Sequence, residues 1–288
     1  MSVLLKFLSL TFAVTWICFF AAAAVSQGTT LAGLRNPLFL LGTIAPSLVA
    51  LALTARADGR EGARALLGRI LKWQVDGRWY VFALGYMAAI KLTVALVHRV
   101  ATGAWPIFGQ TPVYVMAGAI VISTWVQAGE EVGWRGYALP RMAARIGLGR
   151  ASILLGVIWA VWHLPLFLIP GTDTSGQSFP VFLLQVTALS VAMAWLYWKT
   201  GGSLLLTMIL HAAVNNTKDI VPSAVPGAMN PWALSNSLVA WLTVALLWLC
   251  AAYFLLQMRS RVRVDLEDAE AWPHAAKRMI SSSARRST

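Results

Sequence analysis

The stretch AGEEVGWRGYALP places two adjacent carboxylates and a guanidinium, Glu130, Glu131 and Arg135, at the end of the apolar run PVYVMAGAIVISTWVQ. An ionisable group inside a membrane span costs roughly 2.5–3.5 kcal/mol to insert, so it is a functional hypothesis by default. Among the acids only Glu130 and Glu131 fall well inside an apolar run; Asp219 sits at the end of another, beside Lys218. Two of the four histidines also lie within such runs, His163 in WAVWH and His211 in HAAVN. Glu131 and Arg135 are four residues apart, share a helical face and can pair. Glu130 points about 100° away from Glu131 and is free for another task. His211 and Asn215 are likewise four apart. A carboxylate and a histidine facing a water can turn it into a nucleophile. A nearby His and Asn can donate hydrogen bonds to the oxyanion that forms when a carbonyl is attacked. That is the chemistry of amide hydrolysis. The same residues allow a metal version, with Glu130, His163 and His211 as zinc ligands, and their types and spacing do not choose between the two.

Each group also has a plainer reading by itself. A lone buried histidine is more often a satisfied core residue than a catalyst. HAAVN alone reads as a patch of hydrogen bonding between helices, and Glu131–Arg135 reads first as a structural bridge. What favours a shared site is depth. At about 1.5 Å per residue, Glu130, His163 and His211 lie roughly 14, 18 and 12 Å below the same membrane face, on three different spans.

The elements that deliver them are helices. The chain has 288 residues, 58% hydrophobic and 12% charged, with a mean hydropathy of +0.68. Soluble domains carry about 25% charged residues, so this is the balance of an all-α, polytopic membrane protein. About eight spans are expected, over 4–24, 37–54, 79–97, 114–139, 151–169, 180–198, 203–220 and 235–257, because a span needs about 20 apolar residues. Outside the spans, eighteen Lys/Arg fall on one side and only Arg35 and Arg99 on the other. This asymmetry predicts both termini in the cytoplasm, and it explains the net charge of +12 as topology rather than nucleic-acid binding. The expected localisation is an integral protein of a bacterial inner membrane. REGARALLGRILKW, 60–73, has the pattern of an interfacial helix with basic side chains reaching lipid phosphates. Residues 1–257 form the membrane domain, and the polar tail 258–288 is expected to be disordered. The start of the chain also has features of a signal peptide, with Lys6, an apolar stretch and AAAAVSQ, but its apolar run is long for one and serves as a first span. Cys18 and Cys250 lie inside apolar runs and read as small hydrophobes.

Three motifs in order carry a resemblance. EEVGWR fits EExxxR, WAVWH fits an aromatic followed four positions on by His, with Trp159 where Phe is more usual, and HAAVN fits HxxxN. Over about residues 110–220 the chain resembles the CAAX-protease and bacteriocin-processing (CPBP) family of intramembrane endopeptidases, in its type II CAAX prenyl endopeptidase-like form. The resemblance implies an eight-helix bundle and a catalytic role for Glu130, His163, His211 and Asn215. Glu130 would be the water-activating base, assisted by His163, while His211 and Asn215 would stabilise the oxyanion. Glu131 and Arg135 would hold the architecture, with Glu131 tuning Glu130. It implies a metal-free glutamate mechanism, hence no cofactor, with zinc the less favoured version. The implied partners are membrane lipids and a peptide or lipidated protein substrate, with no nucleic acid. Eukaryotic relatives trim prenylated CAAX proteins, and bacterial ones are linked to peptide processing and self-immunity. Two other readings compete. One is a non-catalytic membrane scaffold or immunity protein of the same fold. The other is a proton-coupled transporter, which would also use intramembrane Glu and His but calls for an inverted repeat, and none is visible in the sequence.

Overall fold

The computed structural model describes residues 2–25, 32–169, 172, 174, 177–223, 230, 232–234 and 237–259. Among these there is no strand, and seven helical stretches are long and apolar enough to cross a membrane. They are built from α1 (Val3–Val25), α2 (Arg35–Gly68), α3 (Gly77–Thr102), α4 (Val113–Val126), α5 (Ala128–Glu131), a π-helical segment (Val132–Ala138), α6 (Leu139–Ile146), α7 (Leu148–Trp162), α8 (Leu164–Leu168), α9 (Phe179–Lys199) and α11 (Leu238–Arg259). The expected seventh span, 203–220, is the exception. Its helix α10 (Leu204–Thr217) has 14 residues, followed by a 3-10 turn (Lys218–Ile220). At about 1.5 Å per residue this is roughly 21 Å, short of a hydrocarbon thickness. A helix this short is tolerated because α10 is a central element packed on α3, α4 and α9, with ten of its residues buried. The tail from 260 onward, including His274, lies outside the described residues, as do Asp173 and the Ser26–Gln27 part of the signal-like stretch.

Helix starts and stops follow local chemistry. Asp76, Ser178 and Ser203 cap α3, α9 and α10, each accepting from a backbone N–H of the first turn. Pro46 inside α2 has no N–H to offer the carbonyl four residues back. That carbonyl, of Gly42, accepts from Thr15 Oγ1 at 2.8 Å and ties α1 to α2. The first helix is thereby built into the bundle, and Phe7 adds to this by packing against Trp134 and Tyr137. Gly59, at φ 68°, turns α2 out of its axis. The residues beyond it are helical, as expected for much of 60–73, and end in a 3-10 turn (Arg69–Leu71). Cys18 and Cys250 are free thiols.

The expected spans 114–139 and 151–169 are each interrupted at the motifs. Between α4 and α5 the helix breaks at Gln127, and beyond Glu131 it widens into the π-helical segment. Such widened turns are uncommon and gather at functional sites. Close packing accompanies this one. A Cβ on Gly129 would come within 2.7 Å of Ile44, and one on Gly133 within 2.6 Å of the Pro46 backbone, so these glycines let α2 lie against the motif. Ser47 Oγ donates to the Ala128 carbonyl at 2.6 Å in the same contact. The second interruption is at His163, which ends α7 and begins α8. Pro165 cannot donate to the carbonyl four back, so the helix breaks where the histidine sits.

Candidate active site

The motif residues meet in the middle of the bundle, around the indole of Trp159. Its Nε1 donates to Glu130 Oε2 at 2.8 Å. Its carbonyl lies 2.8 Å from His163 Nδ1. The Arg135 guanidinium stacks over its ring at 4.2 Å, and the His211 ring meets it edge-on at 5.2 Å. One side chain thus touches a member of each of the three motifs. The sequence reading noted Trp159 only as a replacement for Phe. The signal that could have found its role is the indole N–H itself, a donor that Phe lacks, one turn from His163.

The two carboxylates have opposite surroundings. Glu131 and Arg135 are both fully buried and bonded at 2.8 Å, as their i,i+4 spacing predicts. Glu131 Oε1 also takes His211 Nδ1 at 2.9 Å. His211, 4% exposed, therefore belongs to the Glu131–Arg135 unit as well as to α10. Arg135 Nε and Nη2 and Glu131 Oε2 find no hydrogen-bond partner, and the Glu131 charge together with the ring of Trp159 offsets the guanidinium's desolvation. Glu130, in contrast, is bonded through Oε2 alone. Its Oε1 has no partner and is not sealed from solvent. His163 is half-buried and within electrostatic reach of Glu130.

The hydrogen bonds fix which ring nitrogens are available. A carbonyl oxygen only accepts, so His163 Nδ1 carries the proton towards Trp159 O and Nε2 keeps a lone pair. His211 Nδ1 donates to the Glu131 carboxylate, so Nε2 can donate to a substrate oxygen only when the ring holds both protons. Asn215 is exposed on the His211 face of α10 and makes no hydrogen bond to a described residue. Its neighbour Asn216 does the structural work, donating to Ser123 Oγ at 3.0 Å and to Ala212 O at 2.8 Å, and so joining α10 to α4. Thr124 on α4 and Gln127 at the break after it are buried beside the motif. Among the described residues, no group of three His, Cys, Asp or Glu side chains comes together as a metal-ligand set, Glu130, His163 and His211 included.

The fold and this centre define an integral membrane protein: a helical bundle whose interior holds a cluster of titratable groups with unused hydrogen-bonding capacity. Residues 109–217, which contain all three motifs, match the family of type II CAAX prenyl endopeptidases, Rce1-like. A protein of Methanococcus maripaludis named CAAX prenyl protease 2 is 25% identical over 233 residues, covering 75% of this chain and 84% of the relative. The motif-bearing core is similar to this endopeptidase family, and the chain is an enzyme of CAAX-endopeptidase type, a hydrolase of peptide bonds.

Proposed function

We propose that the chain hydrolyses peptide bonds of membrane-associated proteins or peptides, CAAX-like and lipidated substrates among them, with a water activated by Glu130. The observation that carries this is the asymmetry of the carboxylates: Glu131 is sealed from solvent and tied through Oε1 to Arg135 and His211, while Glu130 is oriented by one hydrogen bond and keeps Oε1 open to solvent. Glu130 takes a proton from the water as the water attacks the scissile carbonyl. His163 positions the same water through its Nε2 lone pair. The oxygen of the attacked carbonyl gains negative charge and is met by the Asn215 amide and by doubly protonated His211. The proton held by Glu130 then passes to the leaving amine. Glu131 and Arg135 hold His211 and the π-helical segment in place.

No cofactor is required in this scheme. The geometry favours it over zinc chemistry, since Glu130, His163 and His211 do not come together as a metal-ligand set; the Nδ1 bonds of the two histidines are compatible with either version. The substrate reaches the centre from the basic end of the bundle, which we assign to the cytoplasmic side of a bacterial inner membrane from the distribution of Lys and Arg. The test is cleavage of a pooled set of lipidated and plain peptides by the purified protein, beside Glu130→Gln, with and without chelator. The expected result is cleavage by the wild type, a loss of at least about a thousandfold in Glu130→Gln, and no response to chelator. Cleavage that survives Glu130→Gln sinks the assignment of the base. Loss with chelator, restored by zinc, moves the mechanism to the metal version.

A further inference from the structure

At the basic end of the bundle, two guanidiniums from different elements converge on one tyrosine, with an ammonium close to one of them. Arg69, in the turn after the interfacial helix, donates from Nη1 to the hydroxyl of Tyr197 near the end of α9. Arg141, on α6, lies within electrostatic reach of both Arg69 and Tyr197. Its guanidinium covers the Tyr137 ring at 3.6 Å, and only its Nη1 is bonded, to the Tyr137 carbonyl at 3.0 Å. Lys72 Nζ donates to the Gly201 carbonyl at 2.7 Å. Partial burial, and then the charge of Arg69, lower the Lys72 pKa, a sign of positive charges crowded together.

Nothing in the described chain neutralises this group. No described carboxylate is within ion-pair distance of Arg69, Lys72 or Arg141. Asp58, the acid whose charge reaches Arg141 and Tyr137, is exposed and does so only at longer range. The Tyr137 hydroxyl beside Arg141 is buried without a hydrogen-bond partner. The opposite wall is bare backbone. Gly201 and Gly202 have φ of 60° and 88°, and a Cβ on Gly201 would lie 2.8 Å from Lys72 Nζ. Unspent guanidinium donors and an ammonium around one point are the chemistry that binds a phosphate.

We propose that Arg69, Lys72 and Arg141 bind the phosphate of an anionic phospholipid headgroup. A lipid is favoured over a soluble phosphate by the surface around the cluster. Leu67, at the end of the helix, and Leu71 and Trp73, in the turn and the stretch that follow it, are 41, 70 and 62% exposed, where acyl chains would cover them. An occupied site ties the end of α2, α6 and the α9–α10 turn together. Through Tyr137 it also steadies the end of the π-helical segment that carries Arg135.

Native mass spectrometry of the full chain in detergent tests this, with phosphatidylglycerol and phosphatidylcholine offered in turn and inorganic phosphate as competitor. The expected result is phosphatidylglycerol retained at least about tenfold better than phosphatidylcholine, not displaced by inorganic phosphate, and no such preference in Arg69→Gln/Arg141→Gln. Lys72→Gln, the milder change, should weaken the preference in part. Arg64→Gln, on the same helix but outside the cluster, should leave it unchanged. Thermal stability in phosphatidylcholine identifies any variant that fails to fold. Equal retention of the two lipids, a preference that survives the double substitution in folded protein, or an equal loss in Arg64→Gln would overturn the site. Displacement by inorganic phosphate would overturn the lipid in favour of a soluble ligand. Retention that appears only when Asp265, Glu267, Asp268 and Glu270 are neutralised would overturn it in favour of the chain's own tail.

Discussion

Among the described residues, charged side chains are buried inside the spans both around Trp159 and at Lys91, and the two places are built differently. One is the cluster around Trp159, with two carboxylates, one guanidinium and two imidazoles. The other is Lys91 on α3, 2% exposed, whose ammonium meets Ser223 Oγ at 2.6 Å and Thr243 Oγ1 at 3.3 Å. Lys91 sits among hydroxyls that have nothing else to offer it, with the charge of Asp219 within reach. The Trp159 cluster instead leaves capacity unused, at Glu130 Oε1, at His163 Nε2 and at the Asn215 amide. Burial of a charge alone therefore does not mark a reactive centre. Groups held in place on one side and open on the other do.

The sharpest way to break this contrast is within the cluster itself, between the two glutamates. Glu131→Gln leaves Arg135 buried with no carboxylate partner. Breaking one member of a buried ion pair costs about 3–5 kcal/mol. The variant is expected to lose thermal stability or fail to fold, whereas Glu130→Gln loses turnover and keeps the wild-type melting curve. Melting of the two variants in detergent checks this. Equal destabilisation by both would mean that Glu130 is as structural as its neighbour.

Next comes Asn215. If its amide donates to the oxyanion, Asn215→Ala lowers kcat by about a hundredfold with little change in stability, because the side chain is exposed and unbonded. Asn216→Ala is the control and should show the reverse pattern, since it loses the bonds to Ser123 and Ala212. A kcat for Asn215→Ala equal to wild type would leave His211 as the oxyanion donor.

Much of this was legible in the residues before any coordinates. Long apolar runs marked the spans, since hydropathy reads the average over a window and needs no knowledge of packing. The i,i+4 spacing of Glu131 and Arg135 foretold their bond, and the similar depth of Glu130, His163 and His211 foretold their meeting. What was not legible depends on how helices rotate and press against one another. The π-helical segment accompanies the approach of α2 over Gly129 and Gly133. The capture of His211 by Glu131 rather than by Glu130 follows from the rotation of α10. The short α10 reads as an ordinary span because composition does not tell a helix walled by protein from one walled by lipid. In the sequence Lys91 is a lone basic residue within an apolar run, because its hydroxyl partners are more than 130 residues away in the chain.

A smaller effect isolates the indole. Trp159→Phe keeps an aromatic ring under Arg135 and removes the N–H that Glu130 Oε2 accepts. The loss of that donor should lower kcat about tenfold, with KM little changed. A wild-type kcat in Trp159→Phe would show that the hydrogen bond does not position the base.

Lys91→Met completes the contrast from the other side. Replacing a buried charge by an apolar side chain of similar volume is often neutral or stabilising, and Thr243 keeps its bond to the Val239 carbonyl at 2.7 Å. Activity is therefore expected within about twofold of wild type, with a melting temperature that is unchanged or raised. The same substitution also tests the rule drawn from the comparison. If Lys91→Met folded normally but lost most of its turnover, a charge fully satisfied by hydroxyls would be part of the reaction. Openness would then no longer separate the working groups of this bundle from those that only hold it together.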